Sequence, residues 1–207
     1  MTRQEIIKLV ERNMKNNPNP MIDSETALKA LKAVSKNADK KNIPWALVGG
    51  VAMSFYGSPR QTHDVDVISS ATVGIAAERK LGFGGERYRT KVGKKDVPVD
   101  WIVRNDTAKK FFEKALADAA KIDGLPIITP EWLVILKYIA GRFKDQQDAV
   151  YLLKKKKLAD RKLIRKKIIE TAGPEFWAII ASGLKRWYDL ADGKITTEKE
   201  DYEAERL

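Results

Sequence analysis

Apolar spacing divides the chain into three parts. Helical spacing occurs twice near the start: Ile6, Ile7, Val10 and Met14, then a break at Asn16-Asn17-Pro18-Asn19-Pro20, then Ala27, Leu28, Leu31 and Val34 behind Ser24 as the expected cap. In the middle part the period changes. Trp45-Ala46-Leu47-Val48 is a short apolar run ending in Gly49-Gly50, the pattern of a strand that turns directly into a helix, here reaching about Tyr56. Asp64-Val65-Asp66-Val67-Ile68 alternates with period two, so a strand there sends both carboxylates to one face and Val65 and Val67 into the core. Beyond it the pattern predicts a helix over 71–80, a turn at Gly82-Phe83-Gly84-Gly85, a hairpin-like pair ending in a strand over 97–103, a helix over 108–120 and a closing strand at 126–128. From Thr129 the spacing is helical again, over 130–140, 145–156, 160–171 and 174–190, the last opened by Gly173-Pro174-Glu175. The resulting architecture is α+β. N-terminal helices (1–43) pack on a small mixed sheet core (44–128), a C-terminal helical bundle (129–192) follows, and a charged tail (193–207) ends the chain.

Three acids give this core a chemistry. After Gly49-Gly50 come thirteen residues, then Asp64 and Asp66, and later Asp100 in the apolar run Val97-Pro98-Val99-Asp100-Trp101-Ile102-Val103. Carboxylates on neighbouring strands repel and resist desolvation unless positive charge neutralises them, and a divalent cation does so most directly. Two Mg²⁺ or Mn²⁺ ions roughly 3.5–4 Å apart would suit attack on a nucleoside triphosphate, activating a hydroxyl and stabilising the departing pyrophosphate. Asp64 and Asp66 would hold the pair, and Asp100 would complete the shell or serve as general base. The glycines would let backbone N–H groups approach phosphate oxygens at a helix N-terminus. Arg60, just before the carboxylate strand, and Thr62 suit the same triphosphate. Lys137, among Trp132, Leu133, Ile135, Leu136 and Ile139, is either a snorkelling lysine or a phosphate contact.

Gly49-Gly50, Asp64-x-Asp66 and Asp100 resemble the signature of the DNA-polymerase-β-like nucleotidyltransferase superfamily, over roughly residues 45 to 103. Arg60-Gln61-Thr62-His63-Asp64-Val65-Asp66 is similar to the minimal nucleotidyltransferases, especially the abortive-infection toxins and their relatives. Lys137 followed by Arg142-Phe143-Lys144-Asp145-Gln146-Gln147-Asp148 is similar to that group's helical half. The resemblance implies a nucleotide-binding role for Arg142, Lys144 and Asp148, a toxin or phage-defence role, and a cognate antitoxin protein. Many members carry Ser where this chain has Gly50, and the serine's phosphate contact is missing here.

Composition narrows the classes. There is no cysteine and His63 is the only histidine, which excludes a His/Cys zinc site and a disulfide framework. In the Gly82 cluster the third glycine of a dinucleotide fingerprint would fall on Arg87, and no phosphate-loop motif ending in Gly-Lys-Ser/Thr occurs. The charged, amphipathic start and the lack of an apolar run near about 18 residues predict a cytoplasmic protein with no membrane partner. The formal net charge is +11, concentrated in Lys154-Lys155-Lys156-Lys157, Arg161-Lys162, Arg165-Lys166-Lys167 and Lys109-Lys110 with Lys114. These are either solvated helix faces or a surface for RNA, with Lys154, Lys155, Lys156, Arg161, Arg165 and Lys166 as its contacts. The expected activity is transfer of a nucleoside monophosphate from NTP to an RNA end or a protein hydroxyl. The alternatives are a small-molecule, antibiotic-type nucleotidyltransferase and a non-catalytic nucleotide- or RNA-binding module.

Overall fold

The computed structural model describes residues 21–59, 61–155 and 158–196. The helix expected around Ile6–Met14, and the site residues Arg60 and Lys156, lie outside the described residues.

One mixed sheet organises the core. Its central strands are β1 (Trp45–Val48), β2 (Val65–Ser69) and a later strand, β5 (Lys95–Ile102); β3 (Arg79–Lys80) and β4 (Gly85–Val92) lie between β2 and β5 in the chain. A final hairpin, β6 (Ala120–Ile122) and β7 (Leu125–Ile127), gives the order β3-β4-β5-β2-β1-β7-β6. Strand β2 runs antiparallel to β1 and parallel to β5, with Asp66 opposite Val48 on one side and Asp100 on the other. Val65, Val67, Val99 and Trp101 are fully buried, so period-two alternation drives these strands and sends the acids to the opposite face.

Helix α1 (Ser24–Lys40) packs on β4 and β5 through Ala27, Ala30, Leu31, Val34 and Ala38. Its cap is Asp23, whose carboxylate accepts from the backbone N–H and the hydroxyl of Thr26; the expected cap, Ser24, is instead the first helical residue. Helix α2 (Gly49–Phe55) leaves β1 directly, and α3 (Lys109–Ala117) contacts β2. The C-terminal helices α4 (Pro130–Ala140), α5 (Phe143–Lys154) and α6 (Arg161–Ala191) pack against one another. Gly173 (φ 88°, ψ 164°) before Pro174 breaks α6, which accounts for the two helices expected at 160–171 and 174–190. Among the described residues no helix is long and apolar enough to cross a membrane.

Two elements differ from expectation. Residues 71–78 form no helix and 79–80 are the short strand β3, because their carbonyls find partners elsewhere. The Ala71 carbonyl accepts from Trp101 Nε1 (2.9 Å) and Ser69 Oγ (3.0 Å), and the Val73 carbonyl from Lys41 Nζ (2.8 Å). The helix expected over 108–120 stops at Ala117, and Ala120–Ile122 becomes β6 across an Asp123-Gly124 turn in which both residues have positive φ (49° and 79°).

Trp101 thus links the sheet to the loop after β2, and its ring also packs against Trp45 at 6.2 Å. Trp101→Phe keeps an aromatic but loses the indole bond and volume, and should cost about 2 kcal/mol. In urea unfolding the midpoint should fall with an unchanged m-value. A loss below about 0.5 kcal/mol would show that the indole does not anchor this loop.

Candidate active site

The register of β2 with β5 brings the acids together. Asp66 lies directly opposite Asp100, and Asp64 precedes β2 by one residue. One carboxylate oxygen from each of Asp64, Asp66 and Asp100 lies within 4.8 Å of the others. Oxygens bound at about 2.0–2.6 Å to one cation can be no more than about 5 Å apart, so the set fits a single hard divalent ion. Thr62 braces it, donating through Oγ1 to Asp64 Oδ1 (3.0 Å).

The Asp66 carboxylate has no hydrogen bond or ion pair among the described residues. Desolvation, followed by the charges of Asp64 and Asp100, pushes its carboxyl up to about 7, against the opposing pull of Lys137 and Arg142. Gly49 makes room for it: φ is +69°, and a Cβ there would stand 2.0 Å from Asp66 Oδ2. Gly50 is also packed closely on Thr62, where a Cβ would come within 2.7 Å of the threonine Cβ and Oγ1. A serine at position 50 would collide with Thr62, which explains the glycine in steric terms.

A cation not anticipated from the sequence completes this end of the site. Arg87 on β4 lies opposite Asp100 and grips its carboxylate side-on, with Nε 2.5 Å from Oδ1 and Nη2 2.7 Å from Oδ2. The same Nη2 is 3.7 Å from Asp64 Oδ2.

The helical half supplies the other wall. Lys137 on α4 is buried, with Nζ 2.5 Å from Asp148 Oδ2 and 3.3 Å from Asp145 Oδ1 on α5. Arg142, which precedes α5, places Nε 2.6 Å from Asp145 Oδ2. Burial alone would raise the Asp145 carboxyl, but Arg142 and Lys137 outweigh it and hold it below the ordinary carboxylate value. Gly49, Asp66, Lys137, Arg142 and Asp145 share one cleft of about 100 Å³. Asp148 sits behind Lys137, and Lys144 is exposed. A larger hollow of about 560 Å³ is lined by Ile22, Asp23, Ser54 and Thr62 among others, but none of the three acids borders it, so the chemistry points to the smaller cleft.

Of the residues expected to contact RNA, the described ones, Lys154, Lys155, Arg161, Arg165 and Lys166, do not line this cleft. Lys154 is exposed, and Lys155 lies over the Tyr151 ring at 4.8 Å, with Tyr151 in turn donating to the Gly57 carbonyl. On α6, Arg161 pairs with Asp192 (2.5 Å) and stacks on Tyr188 (4.7 Å), Arg165 sits 5.6 Å from the Trp177 ring, and Lys166 is 3.7 Å from Glu170.

No family model and no curated protein matches the chain. Among solved structures it is similar to an antigenic nucleotidyltransferase-like protein from Paracoccidioides brasiliensis, with 15% identity and a TM-score of 0.46, covering 83% of this chain and 93% of that one. It is also similar to the antibiotic-resistance factor ANT(2'')-Ia in solution (15% identity, 83% and 98% covered, TM-score 0.35) and to the same factor in complex with adenylyl-2''-tobramycin (15%, 80% and 99%, 0.34).

Because the folded pKa of Asp66 is raised, the metal-free protein holds a proton there that the unfolded chain has released. Stability should therefore fall as pH rises from about 4 to 7 and then level off, by about 2–4 kcal/mol. Asp66→Asn should flatten that fall and be the more stable protein at pH 8 in chelator. Denaturant unfolding of both proteins across the range checks this, and parallel pH profiles would contradict it.

Proposed function

We propose that the protein is a divalent-metal-dependent nucleotidyltransferase that moves a nucleoside monophosphate from NTP to a hydroxyl. What carries the reading is Asp66: a desolvated carboxylate between Asp64 and Asp100, without a side-chain partner among the described residues, at a cleft whose far wall presents Lys137 and Arg142. The donor set is all carboxylate oxygen and its spacing fits a hard cation, so Asp64, Asp66 and Asp100 would hold Mg²⁺ or Mn²⁺. Such an ion supplies Lewis-acid polarisation and charge for the attacking and leaving oxygens. Arg142, with more than half of its side chain exposed, would reach the triphosphate, while Lys137 adds positive potential from a fixed position. Gly49 and Gly50, lacking side chains, would let phosphate oxygens approach the start of α2. Asp100 would face the acceptor hydroxyl, as ligand or as base.

The acceptor we favour is a polyanion such as an RNA end. A cationic small molecule would need free acids beside the triad, yet the other acids of the helical wall, Asp145 and Asp148, are engaged by Arg142 and Lys137. The chain as a whole carries +11, and Lys155 stands over the Tyr151 that bonds Gly57, two residues beyond the end of α2.

The direct test is incubation of the purified protein with each labelled NTP, Mg²⁺ and total RNA or cell lysate. Asp64→Ala and Asp66→Ala should each abolish transfer, by at least about 100-fold, with the fold intact by circular dichroism. Near wild-type turnover in either variant would remove the metal assignment. Asp100→Asn should keep NTP affinity while losing most of kcat.

If RNA is the acceptor, its affinity should drop by about tenfold or more between about 50 and about 200 mM salt. Charge reversal at Lys155, Arg165 and Lys166 should weaken RNA binding with NTP affinity unchanged. A reversed variant that binds like the wild type at every salt concentration would redirect the search to a protein acceptor.

A further inference from the structure

Granted the metal centre proposed above, we infer that Arg87 acts as a built-in counterion that limits the nucleotide-free protein to one divalent cation, where the sequence pattern alone suggests two. Three carboxylates meet at the centre, and one guanidinium binds both oxygens of Asp100 while lying 3.7 Å from Asp64. Among the described residues this leaves the set two negative charges from neutrality, which one divalent ion supplies. The cations across the cleft do not alter the balance, because Lys137 and Arg142 are already matched by Asp145 and Asp148. A second divalent ion would have to share Asp100 with Arg87 and leave the centre with two net positive charges, twice the excess left when Arg87 is absent and more than the surrounding apolar residues can solvate.

The position of Arg87 is fixed by the fold. Strands β4 and β5 form a hairpin whose loop is Gly93-Lys94, and counting back from Val92 opposite Lys95 places residue 87 opposite residue 100. Its side chain is only 14% exposed, and the bidentate geometry holds the guanidinium against Asp100. Arg87 is therefore a positioning residue: it sets how many ions the acids take and keeps Asp100 directed into the centre.

The experiment is titration of the full chain with Mn²⁺ alone, following the free-ion electron paramagnetic resonance signal and, separately, the heat of binding. The wild type should take up one ion. Arg87→Gln should take up two, and Arg87→Lys, which keeps the charge, should stay at one. Arg87→Gln combined with Asp100→Asn restores the charge balance and should return to one. In chelator the unfolding midpoint should fall for Arg87→Gln and recover in the double variant, so a folding defect and a change in ion count are read separately. Two ions in the wild type, or one in Arg87→Gln, would overturn the role of Arg87 and leave the metal centre standing. No uptake by any of the four proteins would overturn both.

Discussion

The parallel pairing of β2 with β5 is the constraint on which the site depends. It sets Asp66 beside Asp100 in a sheet whose opposite face is closed by Val65, Val67, Val99 and Trp101, so neither carboxylate can turn away without dismantling the core. Like charges facing each other across strands destabilise a sheet, and partial burial compounds the cost. The neighbouring residues can be understood as responses to this. Gly49 removes a side chain that would occupy the space of Asp66, Thr62 bonds Asp64, and Arg87 neutralises Asp100. Among the described residues Asp66 alone of the three is left without a side-chain partner, and that is where a cation would gain most.

The helical wall solves a different problem. Lys137, Arg142, Asp145 and Asp148 form an ion-pair network between α4 and α5, closed by the left-handed Gly141 that turns one helix into the next. Buried ion pairs contribute little net stability, but loss of a single partner leaves a buried charge and is strongly destabilising. The network therefore fixes where Arg142 leaves α4 and where the positive end of Lys137 points. It presents the positive groups of Lys137 and Arg142 to the cleft while pairing each with a carboxylate.

How much of this was legible in the sequence follows from range. Strand β1, the carboxylate strand and α4 are visible because their signals are local: an apolar run before a glycine pair, alternation at Asp64–Ile68, and a Thr129-Pro130 helix start. The helix expected over 71–80 fails for a long-range reason, since Trp101 and Lys41 take the carbonyls that a helix would have used. Strand β6 had a local signal, Asp123-Gly124, one of the strongest hairpin dipeptides, sitting just past a helical run. Arg87 was hidden differently. Nothing in its own surroundings distinguishes it from Arg89, which pairs at the surface with Glu78; only the hairpin register anchored at Gly93-Lys94 singles it out. The three acids were readable as residue types, while the arginine that pairs with one of them required knowledge of strand register.

The same distinction bears on the excess positive charge. Counted along the chain, +11 suggests a continuous basic surface, but many of the cations have local tasks. Arg104 pairs with Asp106 and packs over Phe83 and Phe112, Lys167 bonds Asp118 above the Trp132 ring, and Arg161 and Arg165 lie against aromatic rings of their own helix. Their stems and charges are committed to packing, and each ion pair lowers the local potential it could offer. What remains outside the surface, until salt screens it over about a Debye length, is the net charge, and its field favours approach by any polyanion without defining a track for it. Close to the carboxylates the sign reverses, because among the described residues three acids outnumber the one arginine paired with them. A polyanion drawn in by the outer field would therefore meet a negative centre that only a cation makes passable, so metal uptake would gate the approach of the acceptor as well as the chemistry.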